Sequence, residues 1–238
     1  MNVSRQRFYR EVSIGSHPGG GYSVLLDGKA VRTPAGSAFV LPNLQVAEAV
    51  ADEWRAQEDK INPPTMLLTK LANTAIDRIA PDRAQAVRQI AAFARSDLLC
   101  YRAESPADLV ERQDRIWNPL LEWASATYGI RLQCGSGVTY IEQPADALVV
   151  LEQAISQLTD FELAACHAAA TSAGSAIIAL ALAAGHIDAG NAFSAAQLDE
   201  AYQAERWGMD EEAARRSQKK FVEMLVIAQF FALLRGRR

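Results

Sequence analysis

The sequence predicts an α+β fold in which a small antiparallel β-rich domain, residues 1–42, precedes a larger, mostly α-helical domain, residues 43–238. Two observations predict this class. Up to Pro42, apolar residues alternate with polar ones and flank an Asp-Gly pair, which is the pattern of strands and hairpins. After Pro42, apolar residues recur at steps of three and four, which is the period of an amphipathic helix. The chain of 238 residues suits one large domain or two small ones.

The first forty residues contain the strand signals. Asp27-Gly28 is the strongest hairpin signal in the chain, and the runs 22–26 and 30–33 flank it. Residues 7–14 are predicted as another strand because they alternate and are rich in β-branched and aromatic side chains. Residues 37–41 can add one more strand before Pro42 ends it.

Four helices are predicted between Pro42 and Gly129, at about 46–57, 68–79, 81–101 and 105–128. Pro81 suits a first helical position, since its missing N–H has no partner there in any case. Ser105-Pro106 is a second helix start, in which the serine hydroxyl caps and the proline presets the first turn. Gly129 then ends the fourth helix.

The remaining chain is predicted to be helical after one extended segment. Residues 131–141 are predicted as a lone strand or an extended link. Four helices follow, at about 144–157, 160–184, 194–207 and 209–234. Thr159 with Glu162 and Ser194 with Gln197 have capping-box spacing, which predicts where the second and third of these helices begin.

Residues 163–185 have the length of a membrane span and contain no Asp, Glu, Lys or Arg, with His167 as the one histidine. The segment consists mainly of alanine, however, and alanine favours insertion far less than leucine or phenylalanine. A helix that is apolar all round is also what the centre of a large helical domain requires. The sequence therefore favours a buried core helix, and no stable membrane insertion is expected.

Charge is unevenly distributed along the chain, although the formal net charge is only -4. The 74 residues 132–205 contain no Lys or Arg but nine acids. A nucleic-acid-binding protein needs clustered cations, so nucleic acid is not expected as a ligand. No apolar segment follows the N-terminal residues 1–7. No secretory signal is therefore predicted, and a cytoplasmic location is expected.

The search for catalytic chemistry is negative. Residues 19–21 are three glycines, but no Lys-Ser/Thr pair follows them to make a phosphate-binding loop. No zinc-protease or serine-hydrolase motif occurs, and the Cys and His residues lack metal-ligand spacing. Cys100, Cys134 and Cys166 are predicted to be reduced and mostly buried thiols. No catalytic residue, metal or cofactor is predicted.

Three polar constellations fall on predicted helices: Asp97 with Tyr101, Gln113 with Trp117, and Glu200 with Gln203 and Trp207. The last three lie at i, i+3 and i+7 and therefore form one stripe of one helix. Each tryptophan can be a core residue whose polar neighbours satisfy its indole N–H. A carboxylate, an amide and an indole on one stripe can also form a recognition surface, because Trp anchors are common at interfaces.

Several short motifs occur in a specific order and spacing over nearly the whole chain. They are the segments 21–29, 33–34, 53–57, 61–63, 66–69, 73–77 and 97–102, Gln113 with 117–119, and Glu200, Gln203 and 207–208. Together they resemble the F-type ATP synthase assembly chaperones, which bind the alpha subunit of the enzyme's soluble catalytic head. One departure is Leu67, where the family commonly has Pro between Met and Leu.

The resemblance implies a small β-rich domain before a helical one and a non-enzymatic function. The expected partner is the alpha subunit of F-type ATP synthase, whose apolar interface the chaperone would cover until the beta subunit replaces it. The family's important acidic position maps to Glu200, with Glu205 close enough to be an alternative. The expected partner-binding residues are Glu200, Gln203, Trp207 and Glu205. The motif residues expected to be mainly structural are Trp54, Asp77, Asp97, Tyr101, Gln113 and Trp117.

Two alternatives remain open from the sequence. One is a general holdase with broad hydrophobic specificity. The other is an enzyme or small-ligand-binding protein with a pocket between the two domains, which Asp97, Tyr101 and Arg102 would line.

Overall fold

The computed structural model describes residues 5–137 and 139–236. The strands are β1 (Arg5–Gln6), β2 (Val12–Ser16), β3 (Tyr22–Leu26), β4 (Lys29–Ala30), β5 (Val40–Leu41), β6 (Lys60–Ile61), β7 (Tyr101–Arg102) and β8 (Gly135–Ser136). The α-helices are α1 (Leu44–Arg55), α2 (Leu67–Thr74), α3 (Arg83–Ala92), α4 (Ala107–Tyr128), α5 (Ala145–Ser156), α6 (Asp160–Ala173), α7 (Ala176–Ala184), α8 (Ala189–Ala196), α9 (Leu198–Trp207) and α10 (Glu211–Leu234). A small antiparallel sheet thus precedes a larger helical part, which confirms the α+β class.

Contacts divide the chain into two compact units. The first contains the described residues up to Arg83, Asp160–Ala164, and those from Gln229 onward. The second contains Ala84–Thr159 and Ala165–Ala228, apart from the undescribed residue 138. The domain division at residue 42 stays a prediction, although the chain does change there from mainly strand to mainly helix.

The first unit is built around an antiparallel sheet in which β3 pairs with β2, β4 and β5. The predicted hairpin turn is confirmed, because Asp27 and Gly28 both have positive φ, 47° and 77°, as the tight turn requires. Helix α1 packs against β2, β3 and β5. Its N-cap Asn43 accepts a 2.8 Å hydrogen bond from the backbone N of Val46.

Two predicted long helices are interrupted in the second half of the chain. Gly174, with φ 66°, ends α6, and the Ser175 hydroxyl caps α7 by accepting from Ile178 N at 3.0 Å. The single helix predicted over 160–184 is therefore wrong. A glycine in the left-handed conformation followed by a serine is a helix stop and a helix start in sequence.

The helix predicted over 194–207 is also two helices. Asp188 caps α8 by accepting from Asn191 N at 2.7 Å, so Ser194 lies inside α8 and not at its start. Gln197 separates α8 from α9 without a side-chain cap. The predicted capping box at Ser194 is therefore wrong.

Other predicted elements are shorter than expected. Only Gly135–Ser136 of the predicted strand 131–141 is a strand, and β8 pairs in parallel with β7. Helix α3 ends at Ala92, and short 3-10 turns at Phe93–Ser96 and Leu98–Cys100 follow it. The helix predicted over 81–101 thus gives way to turns that lead into β7.

The alanine-rich segment forms the core of the second unit, where all eight residues 176–183 of α7 are buried. Within the described residues, every helix is either too short or too polar to cross a bilayer. The buried-core prediction for this segment agrees with the burial of α7.

Candidate partner-binding face on helix α9

Helix α9 is amphipathic, so its two faces differ in what they contact. Leu198 and Tyr202, four residues apart, are buried and fix the inner face. Gly208, with φ 80°, ends the helix directly after Trp207. The helix is therefore short, and one of its faces is buried against the protein.

Asp108 holds the inner face of α9 to the first turn of α4. Its carboxylate accepts from the Tyr202 hydroxyl at 2.7 Å and from the Arg206 guanidinium at 2.6 Å. The hydrogen bond from Tyr202 and the nearby charge of Arg206 together lower the pKa of Asp108. Asp108 is thus ionised at neutral pH and anchors two residues of α9.

Two further polar contacts join α9 to α4. Gln113 Nε2 donates to Asp199 at 2.8 Å, and its Oε1 accepts from Ala103 N at 2.8 Å. Glu205 accepts from Arg112 at 2.7 Å, in an ion pair that is partly exposed. Glu205 is therefore already occupied by an intramolecular partner.

The outer face of α9 carries the predicted stripe. Glu200, Gln203 and Trp207 are all exposed, and Trp207 is 76% exposed. Among the described residues, none forms a hydrogen bond with the side chain of Glu200 or Gln203. Met209, 47% exposed, follows directly in the chain. The stripe thus combines a large apolar ring, a carboxylate and an amide that are available to a partner.

Asp97, by contrast, is fully buried and joins two helical segments of the second unit. One carboxylate oxygen accepts from Leu99 N at 3.1 Å, at the start of the 3-10 turn Leu98–Cys100. The other accepts from Ala176 N at 2.8 Å and Ile177 N at 3.3 Å, at the start of α7. A carboxylate bonded in this way acts as a double helix cap, and its oxygens are not left to line a ligand pocket.

The pH dependence of stability should report this burial. Desolvation raises the pKa of Asp97 from 3.8 to about 6, against hydrogen bonds that lower it. Because the pKa of Asp97 is higher in the folded than in the unfolded state, the contribution of Asp97 to the free energy of unfolding is largest below pH 3.8. That contribution is lost as the pH rises through about 6. When the pH is lowered from 7 to 5, the unfolding free energy of the wild type should rise by about 1 kcal/mol relative to that of Asp97→Asn, whose amide does not titrate. Chemical denaturation at both pH values measures the difference, and parallel profiles would contradict the assignment.

Other motif residues have structural contacts in the second unit. Trp117 is fully buried and donates from Nε1 to Ala195 O at 2.9 Å. The Arg102 guanidinium lies 5.2 Å from the centre of the Trp117 ring and donates to Asn118 at 2.8 Å. Tyr101 pairs with Gly135 in the β7–β8 ladder. Tyr101, Gln113 and Trp117 thus contact other residues of the second unit, and their mainly structural role stays a prediction.

The first unit holds the two remaining motif residues. Asp77 accepts from the Thr33 hydroxyl at 2.7 Å and from Ala35 N at 3.1 Å, which fixes the turn before β5. The Trp54 ring packs edge-on against Tyr9, with ring centres 5.7 Å apart. Both residues therefore contribute to packing within the first unit.

Glu53 is a structural residue that sequence reasoning did not single out. Its carboxylate accepts from Leu68 N at 2.7 Å, and from the N and hydroxyl of Thr69 at 2.8 and 2.7 Å. Burial raises its pKa, while these hydrogen bonds oppose the rise. Glu53 thus caps α2 as Asp97 caps α7. No local sequence pattern predicted this cap, because the capping residue belongs to α1, fifteen residues earlier in the sequence.

An anchored helix that presents an exposed indole beside a carboxylate and an amide has the chemistry of a protein-binding face. Among the described residues, no three His, Cys, Asp or Glu side chains are grouped to hold a metal ion. The exposed face of α9 is therefore the candidate partner-binding site of this fold.

The chain belongs to the ATP12 chaperone protein family, whose match covers residues 6–125. This confirms the resemblance to ATP synthase assembly chaperones. Mitochondrial protein atp12 of Schizosaccharomyces pombe is 25% identical over 202 residues, which are 80% of this chain and 69% of that protein.

Solved structures extend the likeness beyond the family match. Atp12 of Paracoccus denitrificans is 37% identical, with a TM-score of 0.90 over 96% of this chain and 98% of that one. An aspartate-to-lysine mutant of the Paracoccus protein also matches with a TM-score of 0.90, at 36% identity and over 96% and 97% of the two chains. The Atu1473 protein of Agrobacterium tumefaciens is 40% identical, with a TM-score of 0.92 over 96% of this chain and 86% of that one.

Proposed function

We propose that this chaperone binds the free alpha subunit of F-type ATP synthase and covers its apolar interface until the beta subunit replaces it. Membership of the ATP12 family supports the assembly role. The observation that carries the proposal is the 76% exposure of Trp207 on a helix whose opposite face is fixed to α4. An indole kept in water by a well-anchored helix is suited to contact a partner.

The chemistry of the face fits a reversible cover. An unassembled subunit exposes apolar surface that favours self-association. Trp207 and Met209 supply apolar area against such a surface, while Glu200 and Gln203 supply polar contacts at its edge. The final assembly must bind more favourably than the chaperone for exchange to proceed. A small face with few anchors gives the moderate affinity that exchange requires.

The contacts favour Glu200 over Glu205 as the acidic residue that meets the partner. Glu205 already pairs with Arg112 at 2.7 Å. Glu200 has no such partner among the described residues and shares the stripe with Trp207. Its carboxylate is thus available to a basic or amide group of the alpha subunit.

A binding assay with purified subunits tests the function. The protein should form a complex with isolated alpha subunit and reduce its aggregation, and it should elute free when beta subunit is added. Equal protection of an unrelated, thermally aggregating protein would instead support a general holdase. Failure to bind the alpha subunit would overturn the proposal.

Charge reversal in the same assay should separate the two acids. Glu200→Lys should weaken alpha-subunit binding by about tenfold or more, whereas Glu205→Lys should change it less. Glu152→Lys is a matched control, because Glu152 is an exposed acid on α5 within the same cation-free interval. Dissociation constants from titration calorimetry measure the effect, and circular dichroism checks the fold. A larger loss for Glu205→Lys or Glu152→Lys would refute the choice of Glu200.

The mutant structure of the relative supports this design. The Paracoccus protein with an aspartate-to-lysine change matches this chain as well as its unmutated form does. Replacing an acid by lysine can therefore leave this fold intact. A folded Glu200→Lys variant that binds the alpha subunit normally would show that the stripe is not the contact face.

A further inference from the structure

Two cysteines that are distant in sequence are neighbours in the second unit. Strands β7 and β8 pair in parallel, with Tyr101 opposite Gly135 and Arg102 opposite Ser136. Cys100 and Cys134 directly precede Tyr101 and Gly135, so the pairing of β7 with β8 brings the two cysteines close together. The Cys134 Sγ lies 3.9 Å from Leu99 O, at the residue just before Cys100. The two thiols are close enough for each to shift the pKa of the other.

The register suits a covalent bond between the two sulfur atoms. Paired strands lie about 4.8 Å apart, and the two cysteines directly precede the first residue pair of β7 and β8. A disulfide needs Cα atoms about 4.4–6.8 Å apart, and the strand spacing falls within that range. The backbone arrangement therefore permits the bond without a large movement.

The two thiols differ in their access to solvent. Cys134 is exposed, whereas Cys100 is fully buried. The Arg102 guanidinium lies beside Cys134 and is itself held by Leu99 O at 2.8 Å and by Asn118 at 2.8 Å. An exposed thiol beside a fixed cation, backed by a second thiol, has the arrangement of a reactive cysteine and its resolving partner.

We propose that Cys134 and Cys100 form a peroxide-reactive dithiol, in which Cys134 is the attacking residue and Cys100 closes a disulfide with it. The Cys134 thiolate attacks one oxygen of the peroxide, so that an S–O bond forms and the O–O bond breaks. The departing hydroxide takes a proton and leaves as water. Cys100 sulfur then attacks Cys134 sulfur, the S–S bond forms, the S–O bond breaks, and the hydroxide leaves as water with the Cys100 proton. Two thiols are oxidised by two electrons, and the peroxide is reduced to two waters.

The electrostatics of the pair favour this division of roles. The hydrogen bond from Cys100 and the charge of Arg102 lower the pKa of Cys134 to about 6, against its partial burial. The same hydrogen bond, burial and the nearby Asp97 raise the pKa of Cys100. Cys134 is thus the thiolate at neutral pH, and Cys100 retains its proton until the second step.

Mass spectrometry on the full chain tests the proposal. Reduced protein is treated with hydrogen peroxide, blocked with a maleimide and digested. The expected result is the loss of two maleimide-reactive thiols and a Cys100–Cys134 linked peptide that a reductant cleaves. Iodoacetamide should modify Cys134 at least about tenfold faster than Cys100 or Cys166 at pH 7.

Variants assign the two roles. Cys134→Ser should abolish the linked peptide and leave Cys100 reduced. Cys100→Ser should accumulate a sulfenic acid at Cys134 that dimedone traps, and Cys166→Ser should behave as the wild type. If wild-type Cys134 over-oxidises without forming the link, links instead to Cys166, or stays reduced in peroxide, the proposal is wrong. The wild-type readouts decide the question even if Cys100→Ser does not fold.

Discussion

Replacing Asp97 by alanine should lower the free energy of unfolding by about 3 kcal/mol or more. The carboxylate accepts from the backbone N of Leu99, Ala176 and Ile177, all at buried positions. Alanine leaves these donors unsatisfied, and each buried unsatisfied group costs about 1–3 kcal/mol. The loss also opens a cavity between two helical starts. Denaturant unfolding followed by circular dichroism measures the change.

Asp188→Ala is the matched control for this prediction. Asp188 also caps a helix, α8, but it is exposed and accepts one backbone hydrogen bond, from Asn191 N at 2.7 Å. Removal of such a cap costs about 1 kcal/mol. A loss for Asp97→Ala no greater than that for Asp188→Ala would show that the double cap contributes little.

Trp207→Ala should weaken binding to the alpha subunit by about thirtyfold or more, because a central tryptophan anchor typically contributes about 2 kcal/mol or more at an interface. The same change should alter the unfolding free energy by less than about 0.5 kcal/mol, since the ring is 76% exposed. This combination separates a contact residue from a core residue. Titration calorimetry and denaturant unfolding on the same preparation give both numbers.

Tyr140→Ala controls for the loss of an exposed aromatic ring. Tyr140 is 62% exposed and belongs to the same unit as Trp207, but it lies outside α9. Its replacement should leave alpha-subunit binding unchanged. Normal binding by Trp207→Ala, or an equal loss with Tyr140→Ala, would remove the reason for assigning the contact to α9.

Local chemistry made several elements predictable. The hairpin at Asp27-Gly28 follows from two residues that tolerate positive φ, and the structure has both there. The change from strand to helix near residue 42 follows from the period of the apolar residues. The family followed from the order of many weak motifs, and the family match over residues 6–125 agrees. Each of these signals is contained in a short stretch of chain.

Helix boundaries in the alanine-rich half were harder to predict. Alanine favours helix on either side of Gly174 and Gln197, so composition alone suggested continuous helices. The break before α7 has a local signal in Gly174-Ser175, but the N-terminus of α7 is also satisfied by the distant Asp97. The pattern of the α7 sequence contains no trace of that distant carboxylate.

The sequence by itself determined the fold class, the family and the stripe formed by Glu200, Gln203 and Trp207, because periodicity, turn chemistry and motif order are local. Only the tertiary structure decided which face of α9 is free, since that depends on α4 residues about ninety positions away that bond Asp199, Tyr202 and Glu205. It likewise brought Cys100 close to Cys134, because the strands that follow them are paired. The physical reason is the same in both cases: hydrogen bonding and strand pairing between distant segments fix which side chains are satisfied and which remain available.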